Sequence, residues 1–181
     1  MVEQEFQYTT RMIRQNLSNF SAWHQRSILA PKILAERAAS DDARRAFLDQ
    51  EFETIVAALY TDPYNASAWS YHRWLMANYL STPTDPSSVP IATYNDDEKL
   101  LQAHKQLDQI IELHDLESDC KQLVTALLQY TLQLPPQDTK RASKLSAYLA
   151  ELNRIDPLRT GRWTAIENDL KAEHFGDQIE L

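Results

Sequence analysis

The sequence predicts an all-α fold: a right-handed α-α superhelix, a solenoid of antiparallel helix pairs with about eight helices. The 181-residue chain contains only 2 glycines, too few for a fold rich in tight β-turns. Apolar residues recur at spacings of three and four along most of the chain, which is the helical period. The segment 19–29, NFSAWHQRSIL, returns 46 residues later as NASAWSYHRWL at 65–75. A fixed period of this length indicates stacked helical units.

Each copy of this repeated segment begins with an asparagine, Asn19 or Asn65. An asparagine side-chain oxygen can accept an orphan backbone N–H of the first turn, so both residues are predicted helix caps. In the helix that follows, Ala22 lies on one face, while Trp23 and Arg26 lie on the neighbouring face. A helix covered on two sides is expected of an inner helix packed between two repeat units.

Four helices are predicted in the first half of the chain. Pro31 lies inside the second, where it removes a hydrogen bond, so we expect a bend or a short break there. Asp41 and Asp42 favour the start of the third helix, which ends before Asp62 and Pro63. The predicted ranges are residues 3–15, about 21–38, 41–61 and about 67–79.

The second half of the chain follows a segment with three prolines, residues 81–95, which we expect to be an extended and variable connection. Four further helices are then predicted, the last starting at Pro157. Residues 175–181 are expected to be frayed. The apolar face of the fifth helix is predicted to carry Leu100, Leu101, His104, Leu107, Ile111 and His114. The predicted repeat units of this single domain are about 3–39, 41–80, 96–134 and 137–174.

Composition excludes several classes of function. The formal charge is −8 and the pI is about 5.1, whereas nucleic-acid binding needs a basic surface. A basic protein partner fits this charge, and so does an ordinary soluble surface. The single Cys120 provides no internal disulfide framework. The N-terminus is too acidic for a signal or transit peptide, so we expect a cytoplasmic protein.

No sequence motif of an active site or a metal site is present. His104 and His114 share a predicted face, but nearly three helical turns, about 15 Å, separate them, so they cannot bind one ion. The acidic run at 96–98 suits a helix N-terminus without any metal. The pairs His24/Arg26 and His72/Arg73 are stronger candidates, because cationic donors there could bind an anion or a partner carboxylate. The alternative is that these arginines tie neighbouring helices together.

These segments resemble a known family. NFSAWHQR and NASAWSYHRWL are similar to the repeat of protein prenyltransferase α subunits, a helix-pair unit with an Asn-x-x-x-Trp core. The resemblance is strongest to the Rab geranylgeranyltransferase (type II) branch of that family, and the tail IDPLRTGRW resembles its closing segment. A generic TPR unit has a shorter period and a different pattern. The residues assigned to the repeat motif or to partner binding are Asn19, Trp23, His24, Arg26, Asn65, Trp69, Tyr71, His72 and Arg73.

The resemblance implies an αβ heterodimer in which the α chain is a scaffold wrapped around a β subunit. The β subunit would hold a catalytic zinc and the geranylgeranyl pocket. The acceptors would be C-terminal cysteines of Rab GTPases, delivered by a Rab escort protein. No cofactor, metal ligand or catalytic residue is expected in the present chain. We also expect that it neither binds nucleic acid nor inserts into a membrane.

Two departures from the family pattern limit what the resemblance implies. The family places Lys and Tyr five and three residues before one tryptophan, but those offsets hold Ser18 and Phe20 in one copy. In the other copy they hold Tyr64 and Ala66. We therefore expect the chain to be the C-terminal part of such a subunit, inactive alone. We also expect it to be poorly soluble or to self-associate when expressed alone, because of an apolar end formed by Phe6, Met12 and Ile13.

Two alternatives remain open from the sequence. One is a non-enzymatic helical-repeat adaptor that holds a peptide or protein. The other is the α subunit shared by farnesyltransferase and type I geranylgeranyltransferase.

Overall fold

The computed structural model of the protein describes residues 1–80, 91–135 and 141–176. These residues form eight α-helices and a short 3₁₀ helix, with no β-strand among them, so the predicted all-α repeat fold is confirmed. The chain divides into two compact units, Met1–Lys105 and Gln106–Leu181. The boundaries of the four repeats stay a prediction.

The helices are α1 (Val2–Gln15), α2 (Phe20–Glu36), α3 (Asp41–Thr61), α4 (Ala66–Leu80), α5 (Asp96–Leu116), α6 (Lys121–Leu132), α7 (Arg141–Ile155) and α8 (Thr160–Gly176), with the 3₁₀ helix at Pro157–Arg159.

Both predicted asparagine caps are confirmed. The Asn19 side-chain oxygen accepts a hydrogen bond from the backbone N–H of Ala22 at 3.0 Å. The Asn65 oxygen accepts from the N–H groups of Ser67 and Ala68, each at 3.1 Å. Because these bonds satisfy donors that the helix itself cannot, they fix where α2 and α4 begin.

Of the two outcomes expected at Pro31, the short break does not occur, and the bend stays a prediction. The chain stays helical through Pro31 to Glu36. Pro31 lies on the exposed side of α2, where water can reach a carbonyl that has lost its partner. Helix α2 ends at Glu36, and Ala38, two residues later, has a φ of 46°, the only positive value of a non-glycine residue among the described residues. The N–H of Ala39 donates to the Leu34 carbonyl at 3.0 Å, closing a Schellman-type turn.

Ala38→Gly should therefore stabilise the protein. Glycine has no Cβ to oppose the left-handed conformation, which costs an L-residue roughly 1 kcal/mol. Greater freedom of glycine in the unfolded chain offsets part of this gain, so we expect a net increase of about 0.5 kcal/mol. Urea unfolding followed by circular dichroism measures it. Ala57→Gly, at an exposed position inside α3, is the control and should destabilise by about 1 kcal/mol. Destabilisation by Ala38→Gly would contradict the expected strain.

The core of the first unit is formed by side chains of all four of its complete helices. α1 packs on α2, α3 packs on α4, and the two inner helices α2 and α4 pack on each other. One apolar stripe of α3 faces this core: Leu48, Phe52, Ile55 and Leu59 are buried, and Val56 beside them is partly exposed. The buried set of α2 and α4 consists of Ala22, Trp23, Arg26, Leu29, Ala30, Ile33 and Leu34, and of Ala68, Trp69, Tyr71, His72, Leu75, Met76 and Tyr79.

The described end of the predicted connection, residues 91–95, is non-helical and packed. Ile91 and Ala92 are buried, and the ring of Tyr94 stacks on that of Tyr79 at 3.7 Å. Burial raises the pKa of Tyr79 to about 12. The other residues of the connection, 81–90, lie outside the described part of the chain.

Arg45 of α3 joins this segment and the start of α5 to α3. Its guanidinium pairs with Asp41 at 3.0 Å and with Glu98 at 2.5 Å, and lies over the ring of Tyr94. The N–H of Thr93 and then Arg45 lower the pKa of Asp41. The hydrogen bond from Arg45, followed by that from the N–H of Asn95, lowers the pKa of Glu98.

These lowered pKa values predict a pH dependence. A carboxylate whose pKa is lower in the folded state adds stability above its unfolded pKa, and that stability is lost as the pH falls through the folded value. The double variant Asp41→Asn/Glu98→Gln should lose less free energy of unfolding than the wild type between about pH 5 and pH 3. Urea unfolding at both pH values measures the difference. Asp42→Asn, which removes a neighbouring carboxylate outside this cluster, is the control; parallel acid dependence in all three proteins would contradict the prediction.

The second unit has a core built from α6, α7 and α8. Along α6 and its N-cap, the buried side chains include Cys120, Leu123, Val124, Leu127, Leu128 and Thr131. Trp163 packs with Val124, Leu128 and the leucines of α7. The predicted start at Pro157 is a 3₁₀ turn, after which α8 runs to Gly176. The predicted frayed tail is helical at residues 175 and 176, and residues 177–181 lie outside the described part.

The face predicted for α5 is wrong in part. Leu101 is 72% exposed and His104 is exposed, although Leu107 is buried as predicted. Helical periodicity fixes the helix but not its rotation, because adjacent stripes of α5 both contain leucines. The buried residues of α5 include two glutamines, which a hydrophobic pattern does not count: Gln102, Ala103, Gln106, Leu107, Ile110 and Leu113.

Candidate partner-binding surface

Arg26 is placed inside the first unit. Its guanidinium donates to both carboxylate oxygens of Glu51, each at 2.6 Å. It also donates to the hydroxyls of Thr10 at 2.8 Å and Thr9 at 3.2 Å, and its carbon lies 4.0 Å from the centre of the Phe6 ring. Arg26 of α2 thus ties α1 to α3, which is the alternative to direct ligand binding that the sequence left open.

Tyr71 of α4 joins the same network, since its hydroxyl donates to Glu51 at 2.6 Å. Burial, followed by the charge of Glu51, raises the pKa of Tyr71 well above its usual value. Burial by itself would lower the pKa of Arg26, but the hydrogen bond and charge of Glu51 outweigh it and raise that pKa. Across the physiological pH range, Arg26 therefore stays positively charged and the Tyr71 hydroxyl stays protonated and neutral.

Trp23 and Trp69 have equivalent surroundings in the two repeats. Each is 1% exposed. The indole N–H of Trp23 donates to the Leu17 carbonyl at 2.8 Å, and that of Trp69 to the Pro63 carbonyl at 2.7 Å, each six residues before the tryptophan. The matching bonds confirm that the two motif copies are structural equivalents, and both tryptophans are core residues.

Asn65 and His72 also lie in the interior. His72 is 0% exposed and packs edge-on against Phe52 and Trp69. It occupies in α4 the position that Arg26 occupies in α2, 46 residues earlier. Asn65, besides capping α4, donates to the Ser18 hydroxyl at 3.1 Å and so joins the two repeats.

Only two side chains of the assigned set are free to meet a partner: His24 and Arg73, both exposed. Arg73 donates to the hydroxyl of Ser70 on its own helix at 3.1 Å. The His24 ring stacks on that of Phe20, with centres 5.8 Å apart and planes 3° from parallel. Asn19 is half-buried as the cap of α2, so seven of the nine assigned residues serve the fold.

Sequence reasoning missed the exposed apolar neighbours of His24. Phe20 is 56% exposed and Ile28 is 38% exposed. Phe20, His24 and Ile28 follow one another at intervals of four, so they line one side of α2. The sequence shows this spacing, but the neighbouring stripe with Trp23 and Arg26 carries the repeated motif and therefore gives the stronger signal. We call Phe20, His24 and Ile28 the α2 ridge.

The corresponding positions of α4 are Ala66, Ser70 and Trp74, of which Trp74 is partly exposed. Because α2 and α4 pack side by side through Trp23 and Tyr71, equivalent positions continue the ridge from one helix to the next. Aromatic and apolar groups flanked by a histidine and an arginine form a composition typical of protein–protein contacts.

The described residues contain no group of three or more His, Cys, Asp or Glu placed to hold a metal ion. None of the helices in the described ranges has both the length and the apolar character needed to cross a bilayer.

The two repeats match a known protein family, and most of the chain is similar to known proteins. Residues 2–32 and 48–79 match the protein prenyltransferase alpha subunit repeat. The chain is 29% identical over 180 residues to the geranylgeranyl transferase type-2 subunit alpha of Schizosaccharomyces pombe, covering 94% of this chain and 51% of the relative. It is 28% identical over 169 residues to the Saccharomyces cerevisiae subunit, covering 89% of this chain and 47% of that protein. The human subunit is 39% identical over 75 residues, which cover 40% of this chain and 13% of that protein. The chain thus spans about half the length of the yeast relatives that it matches.

Proposed function

Since the chain carries two copies of the protein prenyltransferase alpha subunit repeat, we propose that it is the C-terminal part of the α subunit of a cytoplasmic Rab geranylgeranyltransferase. The observation that carries this proposal is the similarity to type-2 α subunits along 94% of the chain. The all-helical repeat fold supports it.

In this proposal the chain is a scaffold rather than the catalytic centre. The β subunit holds the zinc and the geranylgeranyl diphosphate, and a Rab escort protein presents the C-terminal cysteines of a Rab GTPase. The motif residues Trp23, Arg26, Trp69 and His72 keep the helices in place, because they are buried. We assign the contact with the β subunit to the α2 ridge and to Arg73 and Trp74 of α4, which are exposed or partly exposed.

Co-expression with three β subunits tests the proposal. The β subunit of the type-2 enzyme from Schizosaccharomyces pombe should co-purify with the chain, whereas those of farnesyltransferase and the type I enzyme should not. Geranylgeranyl transfer to a Rab protein with its escort protein is then measured with the complex. Transfer to a C-a-a-X peptide instead would indicate the other class of α subunit, and binding to none of the three β subunits would overturn the proposal.

The α2 ridge provides a sharper prediction. Phe20→Ser/Ile28→Ser should weaken binding of the type-2 β subunit at least tenfold, because central apolar anchors of an interface each contribute about 2 kcal/mol or more. The folding stability should change by less than about 1 kcal/mol, since neither side chain belongs to the buried core: Phe20 is 56% and Ile28 is 38% exposed. Surface plasmon resonance and thermal unfolding measure the two effects.

The matched control for the ridge variant is Tyr60→Ser, which removes an exposed aromatic side chain from α3. We expect this variant to bind the β subunit like the wild type. Equal affinities for all three proteins would exclude the ridge as the contact surface while leaving subunit membership itself open to the co-purification result.

A further inference from the structure

The turn that joins α7 to α8 in the second unit repeats the spacing of the tryptophan motif. A proline and a tryptophan six residues apart frame it: Pro157 and Trp163 here, Pro63 and Trp69 in the second repeat. Trp163 is 1% exposed and packs against the leucines of α7, so the turn is held to the core at its base. The residues between the proline and the tryptophan differ between the two copies, and they decide what each copy presents to solvent.

Two positions that serve the fold in the second repeat are arginines in this turn. The residue four before the tryptophan is the capping asparagine Asn65 in the second repeat and the exposed Arg159 here. The residue directly before the tryptophan is the buried Ala68 there and the exposed Arg162 here. The start of α8 thus carries two exposed cations where α4 has a cap and a core residue.

Leu158 lies directly before the first of these arginines, in the 3₁₀ turn. It is 97% exposed, more than any other large apolar side chain in the part of the chain that the structure describes. A single exposed leucine is common on protein surfaces, so exposure alone does not mark a contact site. The charges around Leu158 distinguish it from the others.

Three cations lie around this leucine, and their only ion-pair partner within the described ranges is Asp156. Arg159 and Lys121 both approach its carboxylate, at 3.7 Å and 3.8 Å. These separations are longer than a hydrogen bond, so both cations keep donors for another group. Arg162 lies one turn further along α8, with its guanidinium carbon 5.2 Å from the centre of the Trp163 ring.

This local charge is opposite to that of the whole chain. Asp156 is 7% exposed, so solvent meets the cations and not the carboxylate between them. Arg154 is nearby, but it already pairs with Asp119 at 2.9 Å and is left out of the surface. We call Lys121, Leu158, Arg159 and Arg162 the α7–α8 tip. It is a small basic surface with an apolar centre on a chain whose formal charge is −8.

We propose that the α7–α8 tip docks an acidic linear segment of a partner protein. One apolar side chain of that segment covers Leu158, and carboxylates beside it bind Arg159, Arg162 and Lys121. Charge complementarity selects this occupant, because a guanidinium binds a carboxylate through two parallel hydrogen bonds. Three cations on a chain of net negative charge are too few for a nucleic acid or an anionic membrane, both of which need a broad basic surface.

The test measures binding of a fluorescein-labelled peptide, DEDFDED, to the full chain by fluorescence anisotropy. We expect saturable binding with a Kd below about 1 mM. Raising the salt concentration from about 50 to about 300 mM should weaken it at least threefold, since exposed charges are screened. The peptide DEDSDED, which lacks the apolar side chain, should bind at least about fivefold more weakly. The peptide KKKFKKK should not bind, because it reverses the charge.

Variants of the tip assign the binding to this surface. Leu158→Ser should weaken binding of DEDFDED at least about fivefold, and Arg159→Glu/Arg162→Glu at least about tenfold. The matched control is Lys171→Glu, which reverses an exposed charge of α8 about 14 Å beyond Arg162 and should change the affinity less than twofold. Thermal unfolding followed by circular dichroism checks that each variant is folded.

Three outcomes would overturn the proposal. The first is no saturable binding of DEDFDED to the wild type. The second is equal affinity of this peptide for the wild type and Arg159→Glu/Arg162→Glu. The third is binding to phosphatidylserine vesicles that the double variant loses, without binding of the peptide, which would assign the tip to a membrane surface. No measurement uses a β subunit or a Rab protein, so the result is independent of the proposed enzyme.

Discussion

Glu51→Ala is expected to lower the free energy of unfolding of the first unit by about 3 to 5 kcal/mol, because it strands the buried guanidinium of Arg26. The side chains of Arg26 and Glu51 are 7% and 3% exposed, so water cannot replace the lost carboxylate. The Tyr71 hydroxyl loses its acceptor in the same step. A loss of this size is a large fraction of the stability of an ordinary domain. Urea unfolding followed by tryptophan fluorescence measures it.

Two control variants distinguish the stranded charge of Arg26 from other effects of removing a carboxylate from α3. Glu53→Ala removes an exposed carboxylate from the same helix and should change stability by less than about 0.5 kcal/mol. Arg26→Met/Glu51→Leu removes both charges and should recover most of the loss, since replacing a buried ion pair by apolar groups of similar size is often nearly neutral. A Glu51→Ala cost below about 1 kcal/mol would contradict the role assigned to this pair.

Trp69→Ala is also expected to lower the free energy of unfolding by about 3 to 5 kcal/mol. The cause is different from that in Glu51→Ala, because this substitution opens a cavity in the core. The indole is 1% exposed, contacts His72, and donates to the Pro63 carbonyl that positions the turn before α4. Loss of the helical circular dichroism of the first unit at moderate temperature is the expected result.

Trp74→Ala is the matched control on the same helix. Trp74 is only partly buried, stacking on Tyr71 at 5.2 Å, and it belongs to the continuation of the α2 ridge. Its replacement should cost less stability than that of Trp69, and it should weaken binding of the β subunit that we propose as the partner. The reverse order of stabilities would show that the assignment of core and surface tryptophans is wrong.

The candidate site could be predicted from the sequence only in part. The asparagine caps and the equivalence of Trp23 and Trp69 followed from the repeat, and the structure confirms both. Whether Arg26 binds a ligand or a neighbouring helix could not be derived, because Glu51 lies 25 residues away and nothing local joins the two. The exposure of Phe20 and Ile28 was equally inaccessible, since apolar residues at helical spacing are usually buried.

By itself, the sequence determined the helices, their caps and the 46-residue repeat. The helices and their caps depend on interactions within a turn or two of helix, which neighbouring residues specify directly, and the repeat is visible as two similar segments of the sequence. Only the tertiary structure decided which stripe of α5 is buried, that α2 continues through Pro31, and that Arg26 is internal while His24 is exposed. These outcomes depend on contacts between helices distant in sequence, where several rotations of a helix satisfy the same local pattern and packing selects one.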